Sequence, residues 1–267
     1  MQVLTVANQK GGVGKTTTAV SLGGLLAEAG APVLLVDIDP HTSLTAYFGI
    51  DADDLEASVF DCLNHPEWSR YTVKTRAIVK TGVENLDLLP GSVAMATLDR
   101  QLSNLEGKGF LLNRLLGKLT DDYEYVFIDC PPVLGILMVN ALAACARLLI
   151  PCQTEPLALK GLERMIQTVR MVARAGRDGF SYTIIPTMFD RRTRASVKAL
   201  RSMRDTWPDC LWHGVIPVDT KFRDASAAHV PLNTLDPNTH GIEGYRRLLR
   251  DLEQGRLPEA KAGHEPT

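Results

Sequence analysis

The sequence predicts an α/β domain of the doubly wound type: one mainly parallel, twisted sheet of about seven to eight strands with helices on both faces. Three observations carry this. Short β-branched runs alternate with longer stretches of helical periodicity, the pattern of repeated strand–helix–strand crossovers. Several of those runs are continuously apolar, as expected of strands buried on both faces. The chain has 267 residues, 45% of them hydrophobic, and shows no linker, repeat or low-complexity tract, so one large core suffices.

In chain order, the expected strands are Val3 to Ala7, Val33 to Asp37, Leu86 to Leu89, Tyr125 to Asp129, Leu148 to Cys152, Thr183 to Met188 and Gly214 to Ile216. The clearest helix runs from Thr16 to Ala29. Ala19, Val20, Leu22, Leu25, Leu26 and Ala29 share one side of it, and Gly30 followed by Pro32 ends it. In the expected last helix, Ile242, Tyr245, Leu249 and Leu252 form an apolar stripe with Arg246, Arg247 and Arg250 on other faces, read as core packing. Residues 1–254 form the expected domain, and the polar segment 255–267, which carries two prolines, is expected to be a flexible tail.

A formal net charge of −2 excludes a bulk electrostatic pull toward nucleic acid, so any such binding needs a local patch. The five cysteines, Cys62, Cys130, Cys145, Cys152 and Cys210, are scattered and form no CxxC pair, which suits a reducing cytoplasm and small apolar core thiols. No basic leader and no apolar run of about 18 residues is present, so a soluble cytoplasmic protein without a stable membrane anchor is expected.

The chemistry concentrates in "ANQKGGVGKTTTAV", Ala7 to Val20. A glycine loop that follows an apolar strand and opens a helix turns backbone N–H groups around an anion, and the helix N-terminus adds positive potential. Gly11, Gly12, Val13, Gly14, Lys15, Thr16 and Thr17 are the expected phosphate-binding residues. Lys15 would pair with the β and γ phosphates and the Thr16 hydroxyl would ligate Mg²⁺. "LLVDIDP" ends a strand in Asp37 and Asp39, and "YVFIDCPP" ends another in Asp129. Ligands of open parallel sheets sit beyond the strands' carboxyl ends, so these acids converge on the loop. Asp129 is placed to hold Mg²⁺ through water and Asp39 to orient an attacking water, which makes Thr16, Asp39 and Asp129 the candidate metal-site residues. Adenine is expected between the segments around Met188 and Pro217.

"KGGVGKTT", "VDIDP" and "IDCPP", with "PCQTEPLALKGLE" and "PTMFDRRT", resemble the ParA/MinD family of deviant Walker ATPases, in the SIMIBI class of P-loop NTPases, from Met1 to about Leu252. The resemblance implies slow, partner-stimulated hydrolysis of ATP with Mg²⁺. It also implies an ATP-dependent homodimer in which Lys10 reaches across a two-fold axis to the partner's nucleotide. Lys10, Lys15 and Asp39 would then be the catalytic residues. A second lysine makes physical sense if it neutralises transition-state charge from outside, as an arginine finger does. A dimer glued by ATP and released as ADP is a two-state switch.

Within that family, no cysteine stands where the iron–sulfur reductases place their ligand, and Cys130 reads as a structural thiol. No amphipathic segment of the membrane-bound division regulators follows Gly255. The segregation members act through non-specific DNA and an activating partner, and Asp190 to Arg204 carries six basic residues against one acid. Arg191, Arg192, Arg194, Lys198 and Arg201, with Lys221 and Arg223, are candidate DNA contacts. A phosphate-binding ridge and a solvated helix face both remain open for them. Aromatics do not interleave with these charges, so any such binding would be backbone-directed and salt-sensitive. The chain departs from the segregation members where "IPVDTKFRDA" replaces "IPRNVRLSEA" and where His41 replaces the usual glutamine after Asp-Pro. "DPHTSLTAYFG", "FDRRT" and "IPVDTKFRDAS" are similar instead to the ParC-type orphan ParA proteins that position chemotaxis arrays. That resemblance implies a cargo adaptor and concentration at the cell pole or over the nucleoid. The chain as given begins with the first strand, so autorepression through an N-terminal helix-turn-helix is not expected.

Overall fold

The computed structural model describes residues 1–102, 110–174 and 180–262. Eight strands form one sheet: β1 (Gln2–Val6), β2 (Val33–Asp37), β3 (Val79–Lys80), β4 (Leu86–Leu89), β5 (Tyr125–Asp129), β6 (Arg147–Gln153), β7 (Ser181–Thr187) and β8 (Ala260–Lys261). Their order is β3-β4-β2-β5-β1-β6-β7-β8. The interior pairings are parallel, and only the edge pairs β3 with β4 and β7 with β8 are antiparallel. Every residue of β2 is buried, as expected of a strand covered on both faces.

Helices cover both faces. On one lie α1 (Lys15–Glu28), α2 (Ser43–Tyr47), α10 (Lys221–Ala227), α11 (Leu232–Leu235) and α12 (His240–Glu253), packed through Leu22, Leu26, Leu44, Ala225, Leu232, Ile242 and Leu248 against Leu4, Val6, Leu35 and Phe127. On the other lie α3 (Val59–Asn64), α4 (Arg70–Arg76), α5 (Met95–Leu102), α6 (Leu111–Gly117), α7 (Ile136–Ala144) and α8 (Pro156–Arg174), with α9 (Arg194–Thr206) reaching the same core through Met203. Helix α1 is buried nearly all round, from Thr18 to Ala27, because α11 and α12 close over the side that faces away from the sheet. The Ile242, Tyr245, Leu249 and Leu252 stripe of α12 is buried in the same layer. No helix among the described residues is long and apolar enough to cross a membrane.

Two expectations need correction. Gly214 to Ile216 is not a strand. This segment runs beside β7 through single bridges, Ile184 with Leu211 and Phe189 with Pro217. The ladder is interrupted between these bridges because Pro186, whose carbonyl accepts from Ile216 N–H at 2.8 Å, has no N–H to donate back. The segment from Gly255 is also docked rather than frayed as far as Ala262. Leu257 and Ala262 are buried, and β8 pairs with the edge of β7. Thr183 Oγ donates to the Pro258 carbonyl at 2.7 Å, and Arg147 pairs with Glu259. A short apolar anchor among polar residues escapes a compositional reading. Residues 263–267 lie outside the described set.

Candidate active site

Strand order reverses at β1, whose neighbours are β5 on one side and β6 on the other, and the crevice opens at the carboxyl ends of these strands. The loop after β1 is fixed from three sides. Asn8 donates to the Pro151 carbonyl at 2.7 Å, Lys10 N–H to Asn8 Oδ1 at 3.1 Å, and Thr187 Oγ to the Val13 carbonyl at 2.8 Å. Gly12 and Gly14 take φ values of +72° and +93°, a region that costs a side-chain-bearing residue but not glycine. The loop then enters α1 directly at Lys15, with the Lys15 side chain buried in the crevice.

Asp129 closes β5 opposite this helix start. The Thr16 hydroxyl donates to its Oδ2 at 2.5 Å, while its buried Oδ1 has no partner among the described residues. Burial, with Asp37 nearby, pushes the Asp129 carboxyl up to about 8, against the opposing pull of Thr16 and Lys15. An acid held beside a threonine hydroxyl, with one oxygen unsatisfied in a dry crevice, fits Mg²⁺ bound through water. Thr16 and Asp129 are the residues that would hold it, and the ion would neutralise phosphate charge there.

Asp37 serves the architecture. Its carboxylate accepts from Thr45 N–H at 2.8 Å and Thr45 Oγ at 2.7 Å, and from Asp39 N–H at 3.1 Å. These bonds tie the start of α2 to the end of β2. Desolvation raises its carboxyl to about 6. Asp39 is thereby fixed at the crevice edge, largely buried. The Lys10 ammonium turns away from its own loop to the β6–α8 connection, where it pairs with Glu155 and donates to Gln153 Oε1 at 3.3 Å. Nothing in the sequence pattern pointed to Glu155, although it lies within "CQTEP".

A cavity of about 700 Å³ extends from the loop across the α1 face. Gly14, Thr16 and Thr17 line one end, and Met188, Ile216 and Pro217 line another, so the expected base segments share one space with the phosphate loop. Tyr47, Phe222, Arg223 and His229 complete the wall. Tyr245, part of the apolar stripe expected to pack the core, also hydrogen-bonds Thr18 at 2.9 Å beneath the loop.

A family model described as an AAA domain matches residues 1–181. The sporulation initiation inhibitor protein Soj of Bacillus subtilis is 36% identical over 252 residues, covering 94% of this chain and 98% of that protein. The chromosome partitioning protein ParA of Caulobacter vibrioides is 32% identical, covering 98% of each chain. The chain belongs to the ParA/Soj family. Among solved structures, cobyrinic acid a,c-diamide synthase from Mycobacterium smegmatis with bound ADP and magnesium superimposes with a TM-score of 0.81 at 33% identity, covering 98% of this chain and 99% of that one. A plasmid partition protein from Borrelia burgdorferi bound to AMPPNP gives 0.78 at 27% identity, covering 95% and 99%. As a ParA/Soj-family P-loop protein with this crevice, the chain is an ATPase, with ATP and Mg²⁺ as its ligands.

The candidate DNA contacts do not form one ridge. Arg191 and Arg192 precede α9 and line a groove of about 890 Å³ with His240, Arg247 and Arg250 of α12. Lys198 and Arg201 line an adjoining groove of about 780 Å³ with Arg204, His213 and the same Arg247. Arg194 lines neither groove, Lys221 pairs with Asp224 at 3.3 Å, and Arg223 faces the nucleotide cavity. Arg192 is chelated by Asp190, both bonds 2.9 Å, which holds the Asp190 carboxyl down to about 2. Arg247 and Arg250, expected only on the other faces of a core helix, add to these grooves, with Arg250 paired to Glu243 at 3.3 Å. All five cysteines are buried, and burial pushes the Cys130 thiol well up, as suits a structural role.

Proposed function

We propose that this ATPase is a nucleotide-dependent dimerisation switch that positions a large intracellular cargo. One observation carries the reading: the loop holds two lysines with separate destinations. Lys15 is buried against the loop's own crevice, while Lys10 points out to Glu155 at the rim. A cation that its own site does not use is available to a second subunit, where it would balance charge on the partner's γ-phosphate. The exposed apolar side chains Val133 and Leu134, on the connection after β5, and Leu157, in the first turn of α8, lie at the same end of the sheet and suit a face covered in a dimer.

In this reading Lys15 and Thr16 hold phosphate and metal, Asp129 supports the metal, and Asp39 sets the attacking water. Met188 and Pro217 border the base. Light scattering tests the switch: ATP should give a dimer and ADP a monomer, Lys15→Ala should remain monomeric, and Asp39→Ala should accumulate as the ATP dimer. An ADP dimer as stable as the ATP dimer would sink the proposal.

Two cargoes follow from different observations. The loop variants "DPHTSLTAYFG", "FDRRT" and "IPVDTKFRDAS" favour chemotaxis arrays, held through an adaptor protein. Val218, exposed where the nucleotide cavity meets the first basic groove, stands where segregation members carry arginine. The likeness to the chromosome partitioning protein ParA of Caulobacter vibrioides, together with the Arg247-centred grooves, favours chromosome or plasmid partition over non-specific DNA. Fluorescent tagging separates them, since foci would follow chemoreceptors at the pole in one case and replication origins across the nucleoid in the other.

A further inference from the structure

We infer that His41 is a positioning residue for hydrolysis, acting through Asp39; the inference rests on the reading of Asp39 as the group that sets the attacking water. Three carboxylates gather at this end of the sheet: Asp37 and Asp129 sit side by side at the ends of β2 and β5, and Asp39 follows two residues after Asp37. Like charges gathered this closely repel, so the orientation of each depends on its tethers. Asp37 is tied by Thr45 and Asp129 by Thr16. Asp39 has neither kind of tether, and every donor to its carboxylate among the described residues comes from His41.

The geometry is specific. His41 N–H reaches Asp39 Oδ1 at 3.0 Å, and the ring Nδ1 reaches the same oxygen at 2.7 Å, which assigns the ring proton to Nδ1. Both donors load Oδ1, so Oδ2 is the oxygen left to accept from water. The turn that presents the ring is held tightly. Thr42 N–H donates to the Asp39 carbonyl at 2.9 Å, and Thr42 itself takes φ +52°, an uncommon conformation for a residue with a branched Cβ. The His41 side chain is 74% exposed, so replacing it removes the tether without opening the core. This position is also where the sequence departs from the family's glutamine. The structure therefore assigns the departure a role in orienting Asp39.

The test compares ATP turnover, KM for ATP and the lifetime of the ATP dimer in His41→Ala, His41→Asn and Asp39→Ala. Asparagine places its amide nitrogen where histidine has Nδ1, so it restores the donor without the ring. His41→Ala should lower kcat about tenfold at unchanged KM and lengthen the dimer lifetime by a similar factor. His41→Asn should recover most of both, and His41→Ala should have no further effect in the Asp39→Ala background. Normal turnover in His41→Ala, or an asparagine variant no better than alanine, overturns the assignment. If Asp39→Ala itself turns over normally, the reading of Asp39 fails, and that result is distinct from a failure confined to His41.

Discussion

The phosphate crevice and the basic grooves flank the same sheet end but are built in opposite ways. In the crevice, Lys15, Asp37, Asp39 and Asp129 are buried, with Asp37 bonded to Thr45 of α2 and Asp129 to Thr16 of α1. In the grooves, Arg191 and Arg192 are exposed, and cations from α9 and α12 line a shared space. The crevice acts through position, where a shift of an ångström matters. On the proposed reading the grooves would act through summed charge, where any one residue is replaceable.

If the contrast is right, single changes should be severe in the crevice and graded in the grooves. Lys15→Ala should reduce kcat at least ~100-fold, because it removes a buried cation aimed at phosphate charge, as a steady-state phosphate-release assay would show. In the grooves, Arg201→Ala with Arg247→Ala should weaken non-specific DNA retention about tenfold and flatten its dependence on salt, while leaving basal ATP hydrolysis intact. Unchanged retention across a salt series would remove the grooves as a phosphate-binding surface.

The crevice should also carry a stability cost that the grooves lack. Asp129 and Asp37 have folded-state values near 8 and 6, raised from 3.8 by burial. Between about pH 4 and pH 8 the folded chain therefore binds more protons than the unfolded one, so the stability of the nucleotide-free protein falls as pH rises through that window. Asp129→Asn should raise the nucleotide-free Tm by a few degrees at pH 8 and hardly at all at pH 4, by calorimetry, while abolishing hydrolysis. Equal melting at both pH values would contradict the buried-charge account. The smallest effect is expected beneath the loop: Tyr245→Phe removes the 2.9 Å bond to Thr18 but keeps the ring, costing about 1 kcal/mol in denaturant unfolding.

The same contrast explains what could be read from the sequence. The crevice was legible because each of its pieces is a short motif obligatory in type: glycines for positive φ, then Lys15 and Thr16, with acids ending β2 and β5. The central strands were legible because burial on both faces demands unbroken apolar runs. The grooves were only half legible, since Arg247 and Arg250 come from α12, distant in sequence from Arg191 to Arg201. Glu155, the rim partner of Lys10, and the β8 anchor around Leu257 likewise arise from tertiary pairing, which leaves no periodic trace in the chain.

The central claim is that Lys10 belongs to the partner's site, and subunit mixing tests it most directly. Lys10→Ala and Asp39→Ala should each hydrolyse ATP poorly alone. In a mixed dimer, the site with an intact Asp39 receives its Lys10 from the Asp39→Ala subunit, so mixing the two inactive proteins should restore hydrolysis. No recovery, in a mixture shown by light scattering to contain ATP-bound mixed dimers, would place Lys10 in its own subunit's site and contradict the account.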